Sequence, residues 1–470
     1  LYCGSVSFYI KRFDYKDFSL KFTNCSFIDN INSHTEFPFN QGGVIQCGYL
    51  SLLSNTSFSF TNCLFKGNKC LNGKGGALSI SVTQKIEIYG CIFEDNYGSQ
   101  GGGSIYILGT DKKSNNDQLD LPNDPSSENI SILNSIFIGN RGETGSCILA
   151  EEDNVKIISI NIQYCTFFDN GNVVDNTDTA SLIRCTSAIF NFENNIITQK
   201  DLSLSSGGIL IDISNSANIE ECTFINCSSK SDSIIQMTGI GSPNSQITNC
   251  LFDDCIGNKY TSIISSCQFY IDNSNFTFSS SNNACSGIEI DSSSEISITN
   301  CHFYNNNNFE GRGSLYVHGG SSSTQIIEIS RLIFESCIGQ EFCTMNIDLT
   351  SVTLSEGDKL TFTDLEMINV SSITSGIYQI KVDKNIEFNR CKFEMCQSNY
   401  EYGGGSGGVI TPTQEIIFNE CLWINNYCSG KGGGIQHSQT DATNSEIVKF
   451  ESCNFTGNKT PKHGGAICIE

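Results

Sequence analysis

One short pattern returns along the whole chain, and it constrains the fold more than any other feature. Residues 296–306 read ISITNCHFYNN: two apolar residues two apart, a corner residue, then cysteine, phenylalanine and asparagine at fixed spacing. Fifteen copies align between Phe27 and Phe455, with a mean period of about 31 residues. A repeat of this length is typical of a solenoid, in which each repeat packs only against its neighbours.

Each copy of the pattern reads as two strands joined at a corner. Apolar residues alternate with polar ones, which is the period of a β-strand, and many of them are β-branched or aromatic. The corner residue is most often Asn, Gly or Asp, the residues that tolerate a left-handed backbone. A second phrase, such as GGAL at 75–78 and GGAI at 464–467, adds a glycine turn and another strand.

These features predict an all-β fold, a right-handed parallel β-helix of about fifteen coils. Each coil would have roughly 30 residues and three short strands, and the hand follows from the usual hand of parallel crossovers. We expect residues 1–470 to form a single β-helix domain that is a segment of a longer protein, because both ends fall inside a coil. Residues 109–129 are polar, include two prolines and lack periodicity, so we expect a surface loop insertion there.

The charge of the chain limits its partners. With 27 Lys and Arg against 50 Asp and Glu, the net charge is −23. Nucleic acids and anionic lipid surfaces both need basic patches, so we expect no nucleic-acid partner. The sequence also has no apolar run long enough to span a membrane, so membrane attachment would need an anchor outside this segment. The remaining candidate partners are other surface or matrix proteins, or glycans, and self-assembly is left open.

Cysteines and glycosylation sequons suggest the secretory pathway. The chain has 24 Cys, which is at home in an oxidising compartment. Eight Asn-x-Ser/Thr sequons are candidate glycosylation sites there: Asn24, Asn55, Asn129, Asn226, Asn275, Asn369, Asn454 and Asn458. We therefore expect an extracellular or cell-surface glycoprotein.

Two columns of equivalent residues run through the repeats. Stacked coils place equivalent residues about 4.8 Å apart, so the asparagines of the Phe-x-x-Asn phrase should form a structural ladder: Asn30, Asn68, Asn96, Asn140 and Asn170. Two residues before the phenylalanine position stands a column of cysteines: Cys25, Cys63, Cys91, Cys165, Cys222, Cys250, Cys301, Cys391, Cys421 and Cys453. We favour a ladder of buried thiols acting as small apolar groups, with disulfides between neighbouring coils as the alternative.

Catalytic and metal-binding patterns are weak. No carboxylate pair with a supporting Arg or Lys falls on adjacent coils, so the sequence predicts no catalytic residues and no enzyme. The five histidines are scattered and no close Cys-x-x-Cys pair exists, which argues against zinc. We expect no cofactor and no metal site, although weak calcium binding at acidic turns is left open.

The paired phrases resemble a known family of surface proteins. Phe-x-x-Asn, as in FIDN, FKGN and FEDN, together with GGVI, GGAL and GGAI, is similar to the repeat of the chlamydial polymorphic outer-membrane proteins and of Pmp-like surface proteins of protists. The resemblance is strict in fewer than half of the coils. It implies a right-handed β-helix of the pectin-lyase-like kind, surface display and adhesion, and it brings no catalytic residues.

The function expected from the sequence is therefore non-enzymatic. We expect a surface β-helical repeat protein that acts in adhesion or as a structural element of a surface assembly. Two alternatives stay open: a polysaccharide-processing β-helix enzyme of the lyase or hydrolase kind, and a purely structural spacer.

Overall fold

Every described element of secondary structure is a β-strand, and the strands pair in parallel. The computed structural model describes residues 6–9, 17–33, 43–48, 55–82, 85–109, 128–152, 158–172, 181–186, 188–199, 207–212, 216–229, 234–238, 245–257, 263–265, 269–281, 285–292, 296–308, 313–319, 327–350, 359–382, 385–399, 409–411, 415–437 and 447–469. The chain divides into two units, Leu1–Ser242 and Pro243–Glu470. In each unit parallel sheets stack as a β-solenoid, which confirms the predicted fold class.

Unit 1 contains four sheets, numbered here in the order in which a coil visits them. Sheet 1 consists of Asp17–Thr23, Asn55–Thr61, Lys85–Tyr89, Glu128–Leu133, Ile158–Gln163, Ala188–Glu193 and Ala217–Glu220. Sheet 2 consists of Ser26–Ile28, Leu64–Lys66, Ile92–Glu94, Ile136–Ile138, Thr166–Phe168, Ile196–Thr198 and Thr223–Ile225. Sheet 3 consists of Ile31–Asn32, Lys69–Cys70, Tyr97–Gly98, Arg141–Gly142 and Gly171–Asn172, and a further two-residue strand lies at Ser228–Ser229. Sheet 4 consists of Val6–Tyr9, Ile45–Gly48, Leu78–Val82, Ile105–Gly109, Ile148–Glu152, Ser181–Thr186, Gly207–Asp212 and Ile235–Thr238.

Unit 2 repeats the same four positions. Its sheet 1 consists of Ser245–Thr248, Phe269–Asp272, Ile296–Thr299, Ile327–Ser330, Lys359–Thr363, Asn385–Asn389, Glu415–Asn419 and Ile447–Glu451. Its sheet 2 consists of Leu251–Asp253, Asn275–Thr277, His302–Tyr304, Ile333–Glu335, Glu366–Ile368, Lys392–Glu394, Leu422–Ile424 and Asn454–Thr456. Its sheet 3 consists of Ile256–Gly257, Ser280–Ser281, Asn307–Asn308, Ile338–Gly339, Ser371–Ser372, Gln397–Ser398 and Tyr427–Cys428. Its sheet 4 consists of Ile263–Ser265, Ile288–Ser292, Leu315–Gly319, Met345–Asp348, Tyr378–Lys381 and Val409–Thr411, and Ile435–His437 pairs with Ile467–Ile469.

Sheet 3 is an addition to the three strands that the sequence predicts for each coil. Its strands are two residues long and directly follow the Phe-x-x-Asn phrase, as Tyr97–Gly98 follows Asn96. A two-residue strand is too short to show the alternation of apolar and polar residues that is typical of strands, so the sequence does not predict it. The strand forms because its neighbours above and below supply the hydrogen bonds.

The corner between sheets 1 and 2 is left-handed whichever residue occupies it. Asn62 has a φ of 52°, but Tyr164 and Arg331, which do not favour this conformation, have φ values of 55° and 54°. Corner amides donate to carbonyls of the next coil, as Asn62 does to Tyr89 at 2.9 Å and Tyr164 to Glu193 at 3.2 Å. Pairing between coils therefore imposes a backbone that costs a non-glycine residue about 1 kcal/mol.

The core of each unit is a stack of aromatic rings. In unit 1 Phe65, Phe93, Phe137 and Phe167 stack with ring centroids 4.8–4.9 Å apart and nearly parallel planes. In unit 2 the equivalent stack joins the rings of Phe252, Phe276, Phe303 and Phe334 at 4.7–5.0 Å. This spacing is that of paired parallel strands, so the phenylalanine rings of successive coils are in direct contact.

The predicted loop insertion at 109–129 is shorter at both ends than the sequence suggests. Gly109 ends the strand Ile105–Gly109, and Asn129 belongs to the strand Glu128–Leu133. Residues 110–127 lie outside the described residues.

Candidate functional site

The five asparagines predicted as a ladder are joined by hydrogen bonds in unit 1. The side-chain carbonyl of Asn96 accepts both the backbone amide of Asn68, at 3.1 Å, and its side-chain amide, at 2.9 Å. The same pair of bonds links Asn30 to Asn68, Asn96 to Asn140, and Asn140 to Asn170. Each asparagine thus forms hydrogen bonds with the asparagine at the equivalent position of the next coil.

From Asn68 onward, the ladder asparagines also bond to the phenylalanine strand of the preceding coil. The Asn96 side-chain amide donates to the carbonyl of Phe65 at 2.9 Å, and that of Asn140 donates to Phe93 at 2.8 Å. Asn96 and Asn140 are fully buried. Because a buried amide without partners is costly, these bonds are what allow asparagine to stand inside the core.

The cysteine column makes the same bonds with sulfur. The backbone amide of Cys63 donates to the Cys91 thiol at 3.4 Å, and that thiol donates to the carbonyl of Phe60 at 3.4 Å. Ser135 and Asn195 occupy the column in other coils and accept backbone amides from Cys91 and Cys165. Cys, Ser and Asn at this position can both donate and accept hydrogen bonds, whereas Leu332 and Leu365 fill it with buried apolar side chains. The sequence interpretation, small apolar groups, missed this hydrogen bonding.

The other predicted cysteines lie in equivalent positions. Cys222, Cys391, Cys421 and Cys453 donate to the carbonyls of Phe192, Phe362, Phe388 and Phe418 in the preceding coils. The backbone amide of Cys250 donates to the Ser274 hydroxyl at 3.1 Å. None of the cysteines that the structure describes is in a disulfide; Cys25 and Cys453 are half-buried, and the other predicted ones are buried. Burial raises the pKa of Cys91 and of Cys301 to about 12, which keeps these thiols protonated.

In unit 2 cysteine replaces asparagine at some positions of the Phe-x-x-Asn column, which also contains Ser279 and Val370. Cys396 stands where asparagine is expected; its amide donates to Asn426 at 2.8 Å and its thiol donates to the Met367 carbonyl at 3.3 Å. Asn426 in turn donates its backbone amide to Asn458 at 3.0 Å. At this position the Cys396 thiol donates to the preceding coil, as the asparagines of the column do.

The sequons differ in accessibility. Asn24, Asn275, Asn369 and Asn454 are exposed, and Asn226 is half-buried. Asn458 belongs to the ladder: its side-chain amide, the atom that a glycan would occupy, donates to the Trp423 carbonyl at 2.9 Å. A glycan at Asn458 would break this bond. The side chains of Asn55 and Asn129 lie outside the described residues.

A polar cleft opens on the outer side of sheet 3 in unit 1, and Asn96 is the one lining residue that the sequence had indicated, as a member of the ladder. Its volume is about 480 Å³. It is lined by Lys69, Leu71, Asp95, Asn96, Tyr97, Gly139 and Arg141. Tyr97 pairs in register with Lys69 on one side and with Arg141 on the other. The only sequence signal for this arrangement is the position directly after each Phe-x-x-Asn phrase.

A second group of polar side chains lies on sheet 4 of unit 2. Glu289 and Tyr316 pair in register and are 7% and 9% exposed. The rings of Tyr316 and His318 are 6.4 Å apart, and His318 pairs in register with Asp348.

Comparisons of this chain with protein families, with curated proteins and with solved structures find no match. Within the described residues, no three His, Cys, Asp or Glu side chains are grouped so that they could hold a metal ion. No helix in the described part of the chain is long and apolar enough to cross a membrane.

Proposed function

We propose that this protein is a non-enzymatic β-helical scaffold of the cell surface, which acts in adhesion or as an element of a surface assembly. Its partners would be surface or matrix proteins or glycans. Membrane attachment would come only from an anchor outside this segment. No cofactor takes part in this function.

The ladder geometry is the observation that supports this proposal. The buried polar side chains of the Asn and Cys columns bond to neighbouring coils, as Asn96 bonds to Asn68 and Phe65. They therefore serve the scaffold and are not aimed at a ligand. On the outer faces, residues such as Lys69, Tyr97 and Arg141 stand in strict register about 4.8 Å apart. A rigid backbone with variable outer side chains suits the display of binding groups.

The repeat resemblance and the sequons support a surface location. Phe-x-x-Asn and Gly-Gly-Ala-Ile phrases are similar to those of polymorphic outer-membrane proteins, whose implied role is adhesion. The exposed sequons Asn24, Asn275, Asn369 and Asn454 would be accessible to glycosylation. Mass spectrometry of the native protein, with and without glycosidase, tests this location, and bare sequons at all four sites would remove its support.

Binding assays test the function itself. We expect the purified protein to adhere to cells or to immobilised matrix components in a saturable manner. Incubation with a panel of polysaccharides should release no shortened or unsaturated products. Absence of adhesion to every surface would leave the structural spacer as the better description, and product release would favour an enzyme.

A polysaccharide-processing enzyme is the second candidate, and sheet 4 of unit 2 favours it. Glu289, Tyr316, His318 and Asp348 lie on consecutive strands and include two carboxylates, as glycoside cleavage requires. If the polysaccharide panel yields products, the variants Glu289→Gln and Asp348→Asn should each abolish them. Activity that survives both substitutions would place the chemistry elsewhere.

A further inference from the structure

The cleft on sheet 3 of unit 1 contains two cations that the fold does not use in ion pairs. Other lysines of this unit pair with acids, as Lys66 does with Glu94 and Lys74 with Glu151. Within the described residues, neither Lys69 nor Arg141 forms a salt bridge. In a chain with a net charge of −23, two neighbouring basic side chains without acidic partners form a local site that can attract an anion.

Register places these cations on either side of an aromatic ring. Lys69, Tyr97 and Arg141 occupy equivalent positions of three paired strands, so the Cα atoms of Lys69 and Arg141 lie about 10 Å apart. Their neighbours in the strands, Cys70 and Gly98, are buried, so the three side chains face outward.

Arg141 is held in place by the backbone. Its Nη1 donates to the carbonyl of Asn140, at 3.1 Å, and also to that of Asp169. Guanidinium groups carry five N–H donors, so most of the donors remain for a ligand. Arg141 is half-buried and Lys69 is exposed. One cation is therefore fixed in position, and the other can adjust.

The floor of the cleft supplies an acceptor and an open space. Asp95 and Gly139 both have positive φ values, and the Asp95 carboxylate lies over Gly139, where a side chain would collide with it. Asp95 is exposed and lies near Lys66, whose pKa is raised mainly by Glu94 and also by Asp95. The cleft thus offers donors, one acceptor, and the apolar surfaces of Leu71 and Tyr97.

We infer that this cleft binds a saccharide that carries an anionic group. The sugar ring would lie against the face of Tyr97, which is flat and apolar with a polar edge. Its carboxylate, sulfate or phosphate group would be bound between Lys69 and Arg141 by charge-assisted hydrogen bonds. Asp95 would accept hydrogen bonds from sugar hydroxyls. A volume of about 480 Å³ suits one or two sugar residues.

This inference rests on the proposed adhesive function and names the class of ligand. The remaining charge of the chain disfavours a long polyanion such as a nucleic acid, because acidic residues would surround the two cations. A short anionic substituent needs only the local pair. The ligand is therefore expected to be a terminal or isolated anionic sugar.

A glycan array with matched neutral, carboxylated, sulfated and phosphorylated members of the same cores tests the inference with the full chain. We expect at least one anionic glycan to bind ten times more tightly than its neutral counterpart. Comparing the carboxylated, sulfated and phosphorylated members identifies the anionic group. Equal binding of neutral and anionic members, or no binding to any anionic glycan, would overturn the inference.

Variants locate the site. Lys69→Gln and Tyr97→Ala should each weaken binding of the best glycan at least tenfold, which corresponds to the loss of one charge-assisted bond or one ring contact. Lys85→Gln is the matched control, because Lys85 is an exposed lysine of the same unit on sheet 1 and forms an ion pair with Glu87. Hydrogen exchange of each variant verifies that the coils remain folded. Unchanged affinity in both cleft variants would refute this site.

The two proposals fail in different ways. If the protein adheres to cells but neither the cleft variants nor soluble anionic glycans reduce adhesion, the cleft is not the adhesive site and adhesion stands. If the protein adheres to nothing and still binds an anionic glycan through Lys69, the cleft inference stands without the adhesive role.

Discussion

Substitution of Asn96 by alanine is the sharpest test of the ladder. Asn96 is fully buried and accepts the backbone amide of Asn68 at 3.1 Å, while its own side-chain amide donates to Phe65 at 2.9 Å. Alanine leaves the Asn68 amide without its acceptor, at a cost of about 1–3 kcal/mol. Loss of the bond to Phe65 adds about 0.5–1.5 kcal/mol. We expect Asn96→Ala to destabilise its coil by about 1.5–4.5 kcal/mol.

Substitution of the same residue by cysteine gives the contrast. In the neighbouring column the Cys91 thiol accepts an amide and donates to a carbonyl, both at 3.4 Å. A thiol at position 96 can make the same two bonds, although more weakly, so Asn96→Cys should cost about 1–2 kcal/mol. Asn191→Ala is the control, since Asn191 is half-buried on sheet 1 outside the ladder, and it should cost less than about 0.5 kcal/mol.

Native-state hydrogen exchange is the suitable assay, because solenoids open locally. Protection of the Asn68 amide should fall by about two orders of magnitude in Asn96→Ala and by about one in Asn96→Cys. Coils in unit 2 should keep their protection. Equal loss in the alanine and cysteine variants would show that sulfur does not replace the amide, and a loss in alanine no larger than in Asn191→Ala would refute the ladder as a source of stability.

Three further predictions concern the core, a corner and the thiols. Phe303→Ala removes a buried ring stacked between Phe276 and Phe334, and should cost about 3–5 kcal/mol in chemical denaturation, with a cost below 1 kcal/mol contradicting the stack. Gly139 has a φ of 63°, and the Cβ of an alanine there would lie 2.4 Å from the Asp95 carboxylate. Gly139→Ala should therefore lower the free energy of unfolding by about 1–3 kcal/mol. Adding Asp95→Ala should recover only the part that comes from this steric clash and leave the cost of the positive φ. Burial raises the pKa of Cys301 to about 12, whereas a thiol in the unfolded chain has a pKa near 8.5. The contribution of the buried Cys301 thiol to stability is therefore complete below about pH 8.5. Above that pH it falls by up to about 1.4 kcal/mol per pH unit, because the unfolded chain loses the proton first. Urea unfolding between pH 7.5 and 10 checks this, and Cys301→Ser should reduce the alkaline slope; an unchanged slope would rule out this thiol as a cause.

The repeat alone carried most of the fold prediction. The period-two alternation at Ile296 and Ile298, and the single phenylalanine at Phe303, determine which face of each strand is buried. A spacing that recurs along the chain then places equivalent residues on neighbouring coils, so the Asn column could be written down before any coordinates were known. The local strand pattern and the stacking of the repeats favour the same structure, so this fold can be predicted from a single sequence.

The chemistry of the columns was harder to predict. Cysteine is among the most buried residue types, so its apolar role was the natural expectation. Only the structure shows that Cys91, Ser135 and Asn195 each accept a backbone amide from the preceding coil and donate to a backbone carbonyl. The clue was present, because Cys, Ser and Asn have little in common except a small side chain that donates and accepts hydrogen bonds.

The sequence by itself determined the parallel solenoid, the buried phenylalanines and the asparagine ladder, because these follow from a repeated local pattern. Tertiary structure decided the rest. Sheet 3 has strands too short to carry a period, and the left-handed corner at Tyr164 is imposed by the amide bond to the next coil. The cleft joins Lys69, Tyr97 and Arg141, which are 28 and 44 residues apart in sequence, at a position of the repeat that has no preferred residue type. Only the register between coils brings those three side chains together.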